Sequence, residues 1–191
     1  MSPTSAPNPV LVVVLERARR LGVLGPGPVA EHIDHAAGFV EALAAVGDGS
    51  RVVDLGSGGG VPGLVVADAR PELEVVLLDS LERRVALLAE AVETLGWTGR
   101  VRAVLARAEE VGRDPEWRGR FDAVTARSFG PPATTAECAA PLLRVDGLLI
   151  VSEPPEDRDR WPAEGLDQVG MATVTGPAGM HVSRQVRDCP E

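Results

Sequence analysis

The chain has 191 residues, 45% of them apolar, enough to bury the core of one domain without disulfide or metal staples. Three Trp, three Phe and no Tyr leave that core to Val, Leu and Ala, which suits a buried parallel sheet flanked by helices. All 19 basic residues are Arg, and the net charge of −9 argues against a broadly basic nucleic-acid-binding surface while leaving room for a local patch.

In chain order, MSPTSAPNPV lacks the basic start of a signal peptide, and LVVVLERARR is too short and too soon charged to span a membrane. The expectation is a cytoplasmic protein. Val10 to Leu21 reads as a helix, LGVLGPGP as a loop and Val29 to Val46 as a second helix. Residues 1–47 are therefore expected to form a helical extension packed on a domain spanning 48–191.

From residue 51, apolar runs alternate with helical stretches. Strands are expected at Arg51 to Leu55, Glu74 to Asp79, Arg100 to Ala106, Phe121 to Ala126 and Gly147 to Ser152. Pro62 to Arg70 reads as a helix stopped by Pro71. After Ser80, a plausible N-cap, Leu81, Val85, Leu88, Val92 and Leu95 form one apolar stripe, ending at Gly96. Pro141 interrupts the Ala-rich helical stretch before the fifth strand. PPEDRDRWP, Pro154 to Pro162, reads as a loop or a poorly formed helix. Met171 to Thr175 and His181 to Arg187, separated by Gly-Pro-Ala-Gly, read as a hairpin. The fold class expected is α/β: a doubly wound, mostly parallel, seven-stranded sheet with helices on both faces and an antiparallel C-terminal hairpin.

The chemistry is concentrated in VVDLGSGGGVPG, Val52 to Gly63, a strand feeding a glycine turn and then a helix. A dinucleotide fingerprint starting at Gly56 fails at Val61. One starting at Gly58 fits Gly60 and Gly63 but begins late, four residues past Asp54. Asp54 at the strand end would repel a pyrophosphate and suit the ammonium and sulfonium of S-adenosylmethionine. Asp79 ends the next strand, where a carboxylate can accept both ribose hydroxyls. Gly56, Ser57, Gly58 and Ser80 complete the cofactor set at these two strand ends.

DLGSGGGVPG, LLDSLERRVALL, ARAEE and FDAVTARSF occur in order and together resemble the RsmG (GidB) family, from about His32 to Ile150. That family methylates N7 of one guanine in bacterial small-subunit ribosomal RNA. The resemblance implies cofactor contacts at Gly56 and Val61, at Ala108 and Glu109 beside the adenine, and at Arg127, which could instead pair with Asp54 or Glu109. It also implies ribosomal RNA or the small ribosomal subunit as partner. Two features depart from the family: an Asn-Leu-Thr stretch is missing near the N-terminus, and Ser152-Glu153-Pro154-Pro155 stands where a Lys-Gly pair is usual.

Guanine N7 carries a lone pair and no proton, so no general base, covalent nucleophile or metal is expected. His32 and His35 have no evident third ligand and read as packing residues. Cys138 reads as a small buried hydrophobe, and neither it nor Cys189 lies near a nucleophile motif. Seven Arg between Arg100 and Arg127 are interleaved with five acidic residues, the pattern of a solvated face. Two other functions compete: methylation of a small metabolite, and binding of the cofactor without catalysis. Monomer and dimer are equally compatible with the sequence.

Overall fold

The computed structural model describes residues 7–154 and 160–190. Most of the Pro-rich stretch expected to be a loop (155–159) lies outside the described residues, as do residues 1–6 and 191. Helix α1 (Pro9–Arg20) begins where Asn8 Oδ1 accepts from Val10 N at 2.9 Å, with Pro9 in the first turn, where its missing N–H costs nothing. Helix α2 (Val29–Ala42) runs into a short 3-10 turn (Leu43–Ala45).

The remainder alternates: β1 (Arg51–Leu55), α3 (Gly63–Ala69), β2 (Glu74–Asp79), α4 (Glu82–Leu95), β3 (Val101–Leu105), α5 (Ala108–Val111) and β4 (Phe121–Ala126). It continues with α6 (Pro132–Ala139), β5 (Leu143–Ser152), α7 (Ala163–Gln168), β6 (Met171–Val174) and β7 (Met180–Gln185). The strands form one sheet in the order β3-β2-β1-β4-β5-β7-β6. The ladders from β3 to β5 are parallel, and β7 is antiparallel to both β5 and β6. This is the doubly wound sheet with a C-terminal hairpin that the strand spacing predicts.

Successive strand residues point to opposite faces, so the sheet separates two apolar layers. Val52, Leu77 and Ile150 pack with Leu11, Leu15, Phe39 and Leu64 of α1 to α3. Val53, Leu78 and Leu149 pack on the other face with Ala136, Leu142 and Leu166. Leu11 and Leu15 are fully buried, and burial of each stabilises the docking of α1 by roughly 1.5–3 kcal/mol.

Three local expectations are corrected. Ser80 is exposed and does not cap α4; Leu81 occupies the cap position, and its N–H is satisfied by Asp79 Oδ1 at 2.9 Å. Leu81 is thus outside the helix and 46% exposed, so the apolar stripe of α4 starts later and centres on Leu88, Ala91 and Val92. Strand β5 begins at Leu143 instead of Gly147, because an irregularity carries residues 144–147 past β4, with Asp146 at φ +68°. In the sequence, that Asp-Gly pair has the signature of a turn.

Candidate functional site

The C-terminal ends of β1 and β4 lie side by side, and the chain leaves β1 toward one face of the sheet and β4 toward the other. Open α/β sheets place ligand crevices at such a switch point. A cleft of about 700 Å³ opens there, within the usual size for a small-molecule site.

Its floor is the turn after β1. Gly56 and Gly58 adopt φ of +66° and +52°, which side chains with a Cβ rarely tolerate. Ser57 N donates to Leu78 O at 3.0 Å, and Ser57 Oγ donates to Asp54 O at 2.9 Å. Gly58 N donates to Asp79 Oδ2 at 2.9 Å. With Leu81 N on its other oxygen and Arg84 Nη1 at 3.5 Å, Asp79 ties the β1 turn to the start of α4. Gly63 serves packing: a Cβ there would collide with Leu77 Cδ2 and lie 2.8 Å from Asp54 Oδ2.

Asp54 does not meet the cleft as its strand-end position suggests. It is 1% exposed, its Oδ1 accepts from Thr125 Oγ1 at 2.8 Å, and its Oδ2 accepts from Gly63 N at 3.2 Å. Burial pushes its carboxyl up to about 6, against the lowering effects of those hydrogen bonds and of Arg127.

Arg127 faces the cleft and pairs with neither Asp54 nor Glu109. Its Nη1 lies 3.2 Å from His32 Nδ1, and His32 Nε2 lies 3.0 Å from Gly25 O. A guanidinium can only donate, so Nδ1 is the acceptor and Nε2 carries the proton donated to Gly25. The chain Arg127–His32–Gly25 thereby links the end of β4 to α2 and the loop before it, across the cleft. Burial lowers the pKa of Arg127, opposed by the charge of Asp54, and burial followed by Arg127 and His32 lowers that of His35 beside it.

Phe129, Gly130 and the segment Val151–Pro154 line the far wall with Arg160 and Trp161. Glu153, the departure from the family's basic pattern, is not left bare. Its Oε1 accepts from Trp161 Nε1 at 2.8 Å, and its Oε2 lies 3.7 Å from Arg160 Nη1. The Trp161 ring stacks on His181 at 4.1 Å, and burial there lowers the His181 imidazole to about 4.

Of the residues singled out in the sequence, Gly56, Ser57, Gly58, Val61 and Arg127 line the cleft. Asp54 and Asp79 are buried beneath the turn. Ser80, Ala108 and Glu109 follow β2 and β3, outside the lining; Ala108 is buried and Glu109 pairs with Arg107 at 2.6 Å. The sequence reading missed Arg84, Phe129, Trp161 and the cleft-facing role of His32. A Trp within a charged, Pro-rich stretch was the one available signal.

The residues present fit S-adenosylmethionine better than a dinucleotide. A pyrophosphate needs free N–H groups at the helix start. Here Pro62 has no N–H, Gly63 N is taken by Asp54, and Leu64 N donates to Gly60 O at 2.7 Å. The lining carries both signs, Glu31 and Glu153 with Arg84, Arg127 and Arg160, a mixed set suited to a ligand with an ammonium, a sulfonium and a carboxylate.

A family model described as GidB, rRNA small subunit methyltransferase G, matches residues 26–162. The chain belongs to this family. Ribosomal RNA small subunit methyltransferase G of Moorella thermoacetica is 40% identical over 106 residues, covering 56% of this chain and 44% of that protein. The Lactobacillus delbrueckii protein of the same name is 39% identical over 129 residues, covering 66% of this chain and 54% of its own length. The chain thus spans about half the length of the curated relatives it matches. A methyltransferase structure from Geobacter sulfurreducens superposes with a TM-score of 0.66 at 16% identity, covering 96% of this chain and 90% of that one, a likeness of fold.

Proposed function

We infer that this GidB-family protein binds S-adenosylmethionine in the cleft and directs its methyl group to N7 of a guanine in small-subunit ribosomal RNA. The observation that carries the reading is the closed start of α3 beside an open glycine floor, which removes the anion site of a dinucleotide and leaves room for a sulfonium cofactor. When bound, the cofactor supplies an activated methyl on a positively charged sulfur. The protein's task is positioning. Gly56 and Gly58 let the backbone approach the ligand, and Arg127, held by His32, fixes the β4 side of the cleft. Asp79 shapes the turn beneath the ribose by holding Gly58 N and Leu81 N, while Ala108 and Glu109, at the start of α5, flank an adenine that extends past β2. Phe129 and Trp161 bound the side where the base enters. Guanine N7 presents a lone pair, so no residue is assigned as general base.

In this reading the elements before β1 act as a cover over the domain, and the small ribosomal subunit is the partner. Among the described residues no helix is long and apolar enough to cross a membrane; we place the reaction in the cytoplasm. A small-metabolite acceptor is the second reading, favoured by the net charge of −9.

Calorimetry with S-adenosylmethionine, S-adenosylhomocysteine and NADH tests the cofactor assignment. Binding of the first two and not of NADH is expected; binding of NADH alone overturns it. Asp79→Ala is expected to weaken cofactor binding by loosening the β1 turn, and unchanged affinity would remove that role.

A further inference from the structure

A second, smaller cleft of about 150 Å³ lies at the opposite edge of the sheet, where β1, β2 and β3 begin. It is separated from the first by the length of a five-residue strand, roughly 15 Å. Three arginines line it, Arg51, Arg100 and Arg102, against one carboxylate, Glu74. That local excess of positive charge stands out on a chain whose net charge is −9.

Each guanidinium lies over an aromatic ring. Arg51 Cζ is 4.9 Å from the centroid of Phe121, Arg100 Cζ 4.8 Å from Trp97 and Arg102 Cζ 5.0 Å from Trp117. Stacking holds the flat face of a guanidinium and leaves its in-plane N–H donors for a ligand, with less side-chain freedom to lose on binding. Those donors are poorly used. Arg51 Nε is 4.0 Å from Glu74 Oε2, the only ion pair any of the three makes among the described residues. Arg100 Nη1 is buried without a hydrogen-bond partner. Asp68 and Glu72 lie within electrostatic reach of Arg100 but accept from Asn8 N and Arg70 respectively, and Asp122 accepts from Arg144 and the backbone N–H of Arg51.

We propose that this cleft is a phosphate-binding site in which Arg51, Arg100 and Arg102 donate to the oxygens of one phosphate group. Three guanidiniums in one cleft offer more N–H pairs than a carboxylate, with its two oxygens, can accept, and a tetrahedral phosphate has more oxygens to receive them. The site needs nothing from the reaction proposed above. The phosphate could be free or belong to a nucleic-acid backbone, and the test separates these sources.

The chain's three tryptophans make the test direct, since Trp97 and Trp117 lie beneath two of the arginines while Trp161 lines the other cleft. The full chain carrying ¹⁵N-tryptophan is titrated with inorganic phosphate, with a short single-stranded oligoribonucleotide, and with sodium chloride at matched ionic strength. Phosphate is expected to move the Trp97 and Trp117 indole signals saturably and to leave Trp161 in place. Arg102→Gln, at an exposed residue without a hydrogen bond or ion pair among the described residues, is expected to weaken that binding about tenfold. An oligoribonucleotide acting at lower phosphate concentration assigns a nucleic-acid backbone; a response to inorganic phosphate alone assigns the free ion. No saturable shift, shifts equal to those in chloride, or unchanged binding in Arg102→Gln would overturn the proposal.

Discussion

Gly56→Val is expected to weaken S-adenosylmethionine binding by at least about a hundredfold, because it displaces and fills the cleft floor; its backbone strain of about 1–3 kcal/mol bears on stability. Gly56 sits at φ +66°, where a β-branched residue is a severe outlier, and a Cβ there would lie 2.9 Å from Phe129 Cδ2. The valine can be accommodated only by moving the turn, the Phe129 ring or both, and each change alters the surface on which the cofactor is proposed to rest. Gly49 is a matched control: it has φ +75° with nothing within 4 Å of its added Cβ. Gly49→Val is expected to lower thermal stability through the same strain while leaving cofactor affinity intact. Calorimetry on the two variants distinguishes a cleft defect from general destabilisation, and equal affinities would contradict the placement of the cofactor on this turn.

Asp54→Asn is expected to stabilise the protein at neutral pH. The folded-state carboxyl titrates near 6, raised from 3.8 chiefly by burial. Between these values the folded state binds the proton more tightly than the unfolded chain, so protonation favours folding as the pH falls through 6. The stability contributed by that proton is lost as the pH rises through the same window. Above pH 6 the wild type carries a buried charge that the asparagine removes, a difference of about 3 kcal/mol for a shift of about two units. Asparagine can keep both local bonds, accepting from Gly63 N with its carbonyl and donating to the Thr125 hydroxyl, which can turn to accept. Urea unfolding of both proteins at pH 4, 6 and 8 is the check. The variant's advantage should grow across that range; a variant less stable than wild type at pH 8 would mean that the Asp54 charge is stabilised, with Arg127 as the first candidate.

The frame of the molecule was legible because it depends on local pattern. Apolar runs such as Val75 to Leu78 have one obvious place, inside a parallel sheet, and the glycine turn after Leu55 announces a strand feeding a helix. What escaped the sequence depends on contacts between distant residues. The Arg127–His32 contact joins residues 95 apart, and no periodicity encodes it. Asp54 stands at the strand end, where a carboxylate could face a ligand, yet its rotamer follows from Thr125 on the neighbouring strand and Gly63 on the next helix. Glu153 read as a bare acidic departure, whereas Trp161 and Arg160, several residues further on, fold back to engage it. Short helix α7 follows PPEDRDRWP without a periodic stripe to mark it.

The proposed methyl transfer to a guanine of small-subunit ribosomal RNA can be measured with labelled S-adenosylmethionine. Small ribosomal subunits lacking the family's modification, and the same RNA free of protein, serve as acceptors. Incorporation is expected at N7 of a single guanine, abolished in Gly56→Val and retained in Gly49→Val. No incorporation into either acceptor, with cofactor binding intact, would contradict it.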